Sequence, residues 1–423
     1  MQILKIGSRG TAVMEIQSLL NKIGYDVGPL DGIYGPKTAA GVQKFQRYFG
    51  LAPTGVVDEV TYKLMNRLLI GYDTYRIRPR DTLYLIARRY GTTVLSIITA
   101  NPSINPNNLQ VGLEIIVPYS LDVVYTNIDY TYDIMKRDLE GLKARYPFIQ
   151  VASAGKSELG KELYYVKLGN GPNKVFYNGT HHGIEWITSV LLMKFIENFS
   201  RAYASGQKLE GYNLKDIWEK SSIYVMPMVN PDGVDLVLNG LNRSNPYYND
   251  LIVWNKGSTD FSRTWSANIR GVDLNHNYDA MWQQSKDAEK TYGVFGPGPT
   301  RYSGTAPESE SESKAVADFT RKNNFRLVIA YHSQGEVIYW NYQNLASAEA
   351  RRIGEIFSRL SGYQLAETYG ITSYAGYKDW FIDKYRRPGY TFEVGFGENP
   401  LPISQFNGIY NDNIKALLEG ALV

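Results

Sequence analysis

Four residues carry the most pointed chemistry in this chain. His182 and Glu185 lie three residues apart in Asn178-Gly-Thr-His-His-Gly-Ile-Glu-Trp-Ile-Thr188. His332 follows in Tyr331-His-Ser333, and Glu393 in Tyr390-Thr-Phe-Glu-Val394. An imidazole and a carboxylate at that spacing can turn toward one point where a loop enters a helix. An imidazole from a distant strand then completes a three-ligand site for one Zn2+ ion, with a fourth position open to water. The chain has only four histidines, His181, His182, His276 and His332, and none in its first 180 residues. Counting back three from Glu185 selects His182 and leaves His181 a neighbour rather than a ligand. Glu393 is flanked by Tyr390, Phe392, Val394 and Phe396. A carboxylate buried there without a partner is costly, so a chemical role explains it better than a structural one. Apolar surroundings raise its pKa and a metal lowers it.

These side chains need a rigid frame, and the stretch from Leu121 to Val423 is long enough for one large α/β domain. Strand-like runs occur at Leu163–Leu168, Lys174–Tyr177, Ser222–Met228, Arg326–Tyr331 and Gly389–Val394, with helix-like stretches at Glu185–Tyr203 and Glu308–Lys322. Such alternation predicts a mixed, mostly parallel sheet with helices on both faces. Ligands usually bind at the carboxyl ends of its strands. His181 and His182 follow one strand-like run, and His332 follows another.

The histidine segment resembles the zinc metallocarboxypeptidase family, of carboxypeptidase A-like fold. Four more landmarks follow in family order: Val229-Asn-Pro-Asp-Gly233, Gly271-Val-Asp-Leu-Asn275, Tyr331-His-Ser333 and Tyr390-Thr-Phe-Glu-Val394. The resemblance implies His182, Glu185 and His332 as zinc ligands and Glu393 as the general base. It implies Asp273 as the carboxylate that orients the first ligand histidine. An arginine just before Gly271 is expected to stabilise the oxyanion. Arg263 and Arg270 are both there, with Arg263 slightly favoured. Tyr374 or Tyr369 is expected at the family's mobile tyrosine.

Two departures bear on substrate. Carboxypeptidases of this family grip a terminal carboxylate with an Asn-Arg pair, where this chain has Asn275 and His276. Ile184 stands where the family has an arginine inside the zinc motif. Losing those guanidinium groups removes the bidentate hold on an α-carboxylate. Lys378, near the family's specificity pocket, could instead meet a carboxylate on the substrate side chain. The pattern is similar to the branch that cleaves γ-D-glutamyl-meso-diaminopimelate bonds in peptidoglycan stem peptides.

Two smaller units precede this domain. In residues 1–71, Val13, Ile16, Leu19, Leu20 and Ile23 recur at helical spacing. A second helix is predicted from about Lys37 to Tyr48 and a third near the cap Asp58. Gly7 to Gln17, Asp31-Gly-Ile-Tyr-Gly-Pro36 and Val42-Gln-Lys-Phe-Gln46 resemble the three-helix peptidoglycan-binding domain. In residues 74–119 a strand, two helices and a strand follow in order. Asp81-Thr-Leu-Tyr-Leu-Ile-Ala-Arg-Arg-Tyr-Gly91 and Leu109 to Pro118 carry a resemblance to a LysM domain. That resemblance implies glycan binding around Arg80, Asp81, Thr82 and Asn101 to Asn107.

Composition narrows the rest. The net charge is +3, without a dense basic run, so a nucleic-acid partner is not expected. There is no cysteine, hence no disulfide, thiol nucleophile or Cys-type zinc site. No apolar run is long enough to cross a membrane. Met1 to Ser8 lacks a signal-peptide pattern, which predicts synthesis in the cytoplasm. Action is then expected on the cell wall or spore cortex, or in muropeptide recycling. The leading expectation is zinc-dependent stem-peptide hydrolysis with peptidoglycan as the partner. The alternatives are a carboxypeptidase trimming the stem end and an inactive wall- or spore-coat-binding protein. The second is disfavoured because all four chemical residues are intact.

Overall fold

The computed structural model describes residues 3–369 and 374–423. The chain divides into two compact units.

The first unit takes in residues up to Asp129 and Asp133–Phe148. Helices α1 (Thr11–Lys22), α2 (Pro36–Tyr48) and α3 (Glu59–Ile70) come first. Val13, Ile16, Leu19, Val42, Phe45, Met65 and Leu69 are buried. As predicted, Asp58 caps α3 by accepting a hydrogen bond from the Thr61 amide. Strand β1 (Tyr72–Arg76), helices α4 (Leu83–Tyr90) and α5 (Val94–Ala100), and strand β2 (Glu114–Pro118) form the βααβ unit. Its strands pair antiparallel. Thr82 caps α4 by accepting from the Leu85 amide. Asp81 accepts from the Tyr75 hydroxyl and the Arg78 amide. Helix α6 (Tyr132–Arg145) packs closely in this unit, and a Cβ on Gly141 would lie 2.1 Å from the Ile70 carbonyl oxygen.

The second unit is built on an eight-stranded sheet. Its elements are β3 (Gln150–Lys156), β4 (Glu162–Leu168), β5 (Asn173–Gly179), α7 (Ile187–Ser205), α8 (Leu214–Lys220), β6 (Ser221–Met226), α9 (Pro231–Asn239) and α10 (Tyr248–Trp254). There follow α11 (Trp282–Ala288), α12 (Ser311–Asn323), β7 (Leu327–His332), β8 (Val337–Tyr339), α13 (Ala348–Ser361), β9 (Gln364–Ala366), α14 (Tyr377–Tyr385), β10 (Gly389–Glu393) and α15 (Phe406–Glu419). The spatial order is β3-β4-β6-β5-β7-β10-β8-β9. Four of its adjacent pairs are parallel, β5–β6, β5–β7, β7–β10 and β8–β9, and three are antiparallel. Every residue of β6 and β7 is buried, as expected for strands covered on both faces.

Register does much of the positioning. Glu393 on β10 pairs directly with His332 on β7, and Gly179 on β5 pairs with Tyr331. Three parallel neighbours therefore end level. Glu393, His332 and the turn at Thr180 to His182 emerge along one edge of the sheet.

Candidate active site

Thr180 leaves β5 at φ 60°, a conformation that a β-branched residue seldom adopts. Its hydroxyl holds the turn by bonding to those of Thr188 and Ser189, each at 2.7 Å. His182 then begins a short 3-10 turn, Gly183–Glu185, that leads into α7. A Cβ on Gly183 would stand 2.6 Å from the backbone carbon of Gly233. Glycine is thus demanded where the turn meets the start of α9. The Asn230 side-chain amide donates to the His181 carbonyl at 3.0 Å, and its oxygen accepts from the Gly233 amide at 2.9 Å. The Asn-Pro-Asp-Gly motif therefore clamps the loop that bears the histidines.

His182 Nδ1 lies 2.9 Å from one oxygen of Glu185, and His332 Nδ1 lies 3.0 Å from the other. The three ligand atoms fall within 4.8 Å of one another. His182 Nε2 donates to Asp273 at 3.0 Å, which leaves the Nδ1 lone pair free for a cation. Two imidazole nitrogens and one carboxylate are a donor set that suits zinc. Burial alone would raise the Glu185 pKa, but His182 and His332 hold it down at about 2. It is therefore ionised, as a ligand must be. His181 is buried and is not one of the three. Its Nε2 lies 3.0 Å from the Tyr278 hydroxyl, and its ring stacks on that of His332. Burial, with His332 and His182 adding to it, pushes its pKa well down, so it is neutral.

Asp273 is held from four sides. One oxygen accepts from His182 and the Asn275 amide, and the other from the Arg301 amide and the Thr300 hydroxyl. Glu393 stands at the end of β10, deep but not closed off from solvent. Burial and then the charge of Glu185 raise its pKa to about 8, against a smaller opposing pull from His182. A bound cation beside it would pull this value down, toward the range in which a carboxylate takes up and releases a proton near neutral pH.

The remaining expected residues divide. Arg263 is exposed, whereas Arg270 is drawn to Glu158 and Glu310, each at 3.7 Å. The Asn275 side-chain oxygen accepts from the Tyr377 amide at 3.0 Å, and His276 Nδ1 lies 3.3 Å from the Ser285 hydroxyl. Ile184 is buried. Lys378 is buried as well, with its ammonium 2.5 Å from Asp379 and 2.8 Å from the Asn341 carbonyl oxygen. Its charge is thus already matched inside the protein, a pairing that sequence alone did not reveal. Tyr374 is half-buried, and Tyr369 is exposed with its hydroxyl 3.1 Å from Glu367.

Sequence reasoning missed Asn399. Its amide donates to the Ser333 carbonyl at 2.6 Å and reaches Glu185 at 3.4 Å, while its oxygen accepts from the Ser333 hydroxyl at 2.8 Å. It braces both Glu185 and the residue after His332. Thr300 and the Arg301 amide were missed too. No spacing or periodicity marks such residues, because they act from loops far away along the chain.

A mixed, mostly parallel α/β sheet with two histidines and a glutamate at the carboxyl ends of its parallel strands, beside a second glutamate, defines a metallopeptidase-type centre. The zinc carboxypeptidase family model matches residues 135–416, and the chain belongs to that family. A peptidoglycan binding domain matches residues 9–65, and a LysM domain matches 75–118. Among curated relatives, gamma-D-glutamyl-L-diamino acid endopeptidase 1 of Lysinibacillus sphaericus is 40% identical, over 81% of this chain and 98% of its own. Carboxypeptidase B of Bos taurus is 27% identical, over 58% of each chain. The carboxypeptidase A structure from Helicoverpa armigera shares the fold, with TM-score 0.50 at 18% identity over 70% of this chain and 74% of that one.

Proposed function

We propose that the chain is a zinc peptidase that hydrolyses peptidoglycan stem peptides at the γ-D-glutamyl-meso-diaminopimelate bond. The observation that carries this reading is the His182-Glu185-His332 cluster beside Glu393, in a chain so similar to a γ-D-glutamyl-diamino acid endopeptidase along nearly all of that relative's length. The glycan-directed modules at 9–65 and 75–118 support the same substrate.

His182, Glu185 and His332 would hold the ion, which supplies Lewis-acid polarisation of a carbonyl and lowers the pKa of water. Asp273 fixes the His182 tautomer, and Asn399 steadies Glu185. Glu393 accepts the proton of the attacking water on its carboxylate and returns it to the departing diaminopimelate amine. Arg263, exposed and clear of the acidic pair that engages Arg270, is the cation assigned to the developing oxyanion. Asn275, His276 and Tyr374 line the substrate side of this reading. Lys378, proposed for the same side, is buried and paired with Asp379, so it is not an open charge there. Without guanidinium groups at positions 184 and 276, an ordinary C-terminal carboxylate is held weakly, which favours an internal γ-linked bond. The wall is the place of action.

Digestion of purified muropeptides, with products identified by mass, tests this. Release of L-Ala-D-Glu is the expected result. Loss of a single terminal residue would point to a carboxypeptidase, and absence of any zinc-dependent product would point to a binding protein.

A further inference from the structure

The βααβ segment is unusually basic. Residues 74–118 hold five arginines and no lysine against Asp81 and Glu114, an excess equal to the net +3 of the entire chain. Four arginines meet at one cleft of about 700 Å³, where Arg67, Arg76, Arg78 and Arg89 share the walls with Tyr75 and Tyr90. The single carboxylate in the lining is Asp73, which lies 3.3 Å from Arg67. The glycan groove expected from the LysM resemblance, around Arg80 to Thr82 and Asn101 to Asn107, contributes no residue to this cleft.

Arg67 is paired with Asp73, whereas the other three guanidinium groups rest mainly on neutral partners. Arg89 donates to the Tyr75 hydroxyl at 2.7 Å and has Asp81 only at 3.9 Å. Arg76 Nε donates to the Gly112 carbonyl at 3.0 Å, a neutral partner. Arg78 lies 5.8 Å from the centroid of the Tyr75 ring, on which Arg89 also sits at 5.4 Å. Among the described residues, Arg76 and Arg78 have no ion-pair partner. With Arg67 paired to Asp73 and Arg89 only loosely to Asp81, the cleft keeps an excess of positive charge that an entering anion would offset. Guanidinium forks suit oxyanions, which they bind with paired hydrogen bonds.

We propose that this cleft binds a polyanionic wall polymer, one that carries an oxyanion on each repeat. The bound polymer runs past Tyr75 with its charges against Arg76, Arg78 and Arg89. This is a contact separate from glycan recognition and from the peptidase centre, and it does not rest on which bond the peptidase cleaves. It adds a second, salt-sensitive hold on the wall.

The test uses the full-length protein and three soluble probes: poly(glycerol phosphate) for phosphodiester charge, polyglucuronate for carboxylate charge, and neutral dextran. The wild type is expected to bind at least one anionic probe, more weakly as salt rises, and not dextran. The probe that it prefers identifies the source of the oxyanion. R76Q/R78Q is expected to bind that probe about tenfold more weakly, while R76K/R78K, which keeps the charge but loses the paired hydrogen bonds, falls between that variant and the wild type. Melting curves confirm that each variant is folded. R78Q alone, which removes no backbone hydrogen bond, provides the reading if the double variant unfolds. Equal binding by wild type and folded glutamine variants, or equal binding of dextran, would overturn the proposal.

Discussion

Asp273 accepts four hydrogen bonds, and one of them decides which nitrogen of His182 is free. Asp273→Asn keeps the shape but can present an N–H where the imidazole N–H must donate. It is expected to weaken zinc affinity about 10- to 100-fold, read by competition with a chromophoric chelator; unchanged affinity would remove Asp273 from its orienting role. Glu393→Gln is the complementary case. It should retain a full equivalent of zinc by elemental analysis while hydrolysis falls by at least about 100-fold. Loss of the metal in that variant would make Glu393 a ligand rather than a base. The ligands themselves were legible from residue type and spacing, because few arrangements other than a metal site explain His182, Glu185 and His332 together. Asn399 was not legible, since its contact with Glu185 spans 214 residues. Lys378 and Arg270 looked like available cations because the acids that engage them, Asp379 in one case and Glu158 and Glu310 in the other, are assigned only by folding.

At the scale of elements, the site depends on three strand ends and one tight turn. Hydrophobic runs showed where β5, β7 and β10 lie, but register is a property of pairs, so the alignment of Glu393 with His332 could not be read along the chain. The same limit explains the cap of α4. Asp81 and Thr82 are both capping residues, and only the fold shows Asp81 turned toward Tyr75 and Arg78. Gly183→Ala would drive a methyl group into Gly233. We expect zinc occupancy to fall while the far-ultraviolet circular dichroism stays native; full occupancy would show that the turn can shift freely. A second element, α12, carries Glu312 in its first turn, where the buried carboxyl has a pKa raised to about 8 by burial and by Asp232. The folded state therefore binds a proton that the unfolded chain releases above about 4.5, the ordinary value. This contribution to stability is complete below the unfolded pKa and declines as pH rises toward about 8. Glu312→Gln, which mimics the protonated form, should flatten the decline in melting temperature over that window. A variant with the same slope as wild type would show that Glu312 is not the group responsible.

For the whole molecule, the two compact units carry different chemistry: the wall-directed modules lie in the first, and the metal cluster in the second. The division into wall-binding and catalytic parts was legible because each part has its own landmarks. The raised Glu393 pKa needed coordinates, since it arises from burial and from Glu185, far away in sequence; the excess of arginine in 74–118 was legible, but its gathering at one cleft was not. Removing zinc with a chelator should abolish hydrolysis and leave adsorption of the full chain to insoluble wall intact; loss of both together would contradict this separation. The most direct measurement of the central claim is digestion of a defined L-Ala-γ-D-Glu-meso-diaminopimelate peptide in heavy-oxygen water by the zinc-loaded protein, with fragments sequenced by mass. The account predicts one heavy oxygen in the γ-carboxyl of released L-Ala-D-Glu, and none after chelation. Label appearing instead at the L-Ala carboxyl, or products that form equally well without zinc, would contradict it.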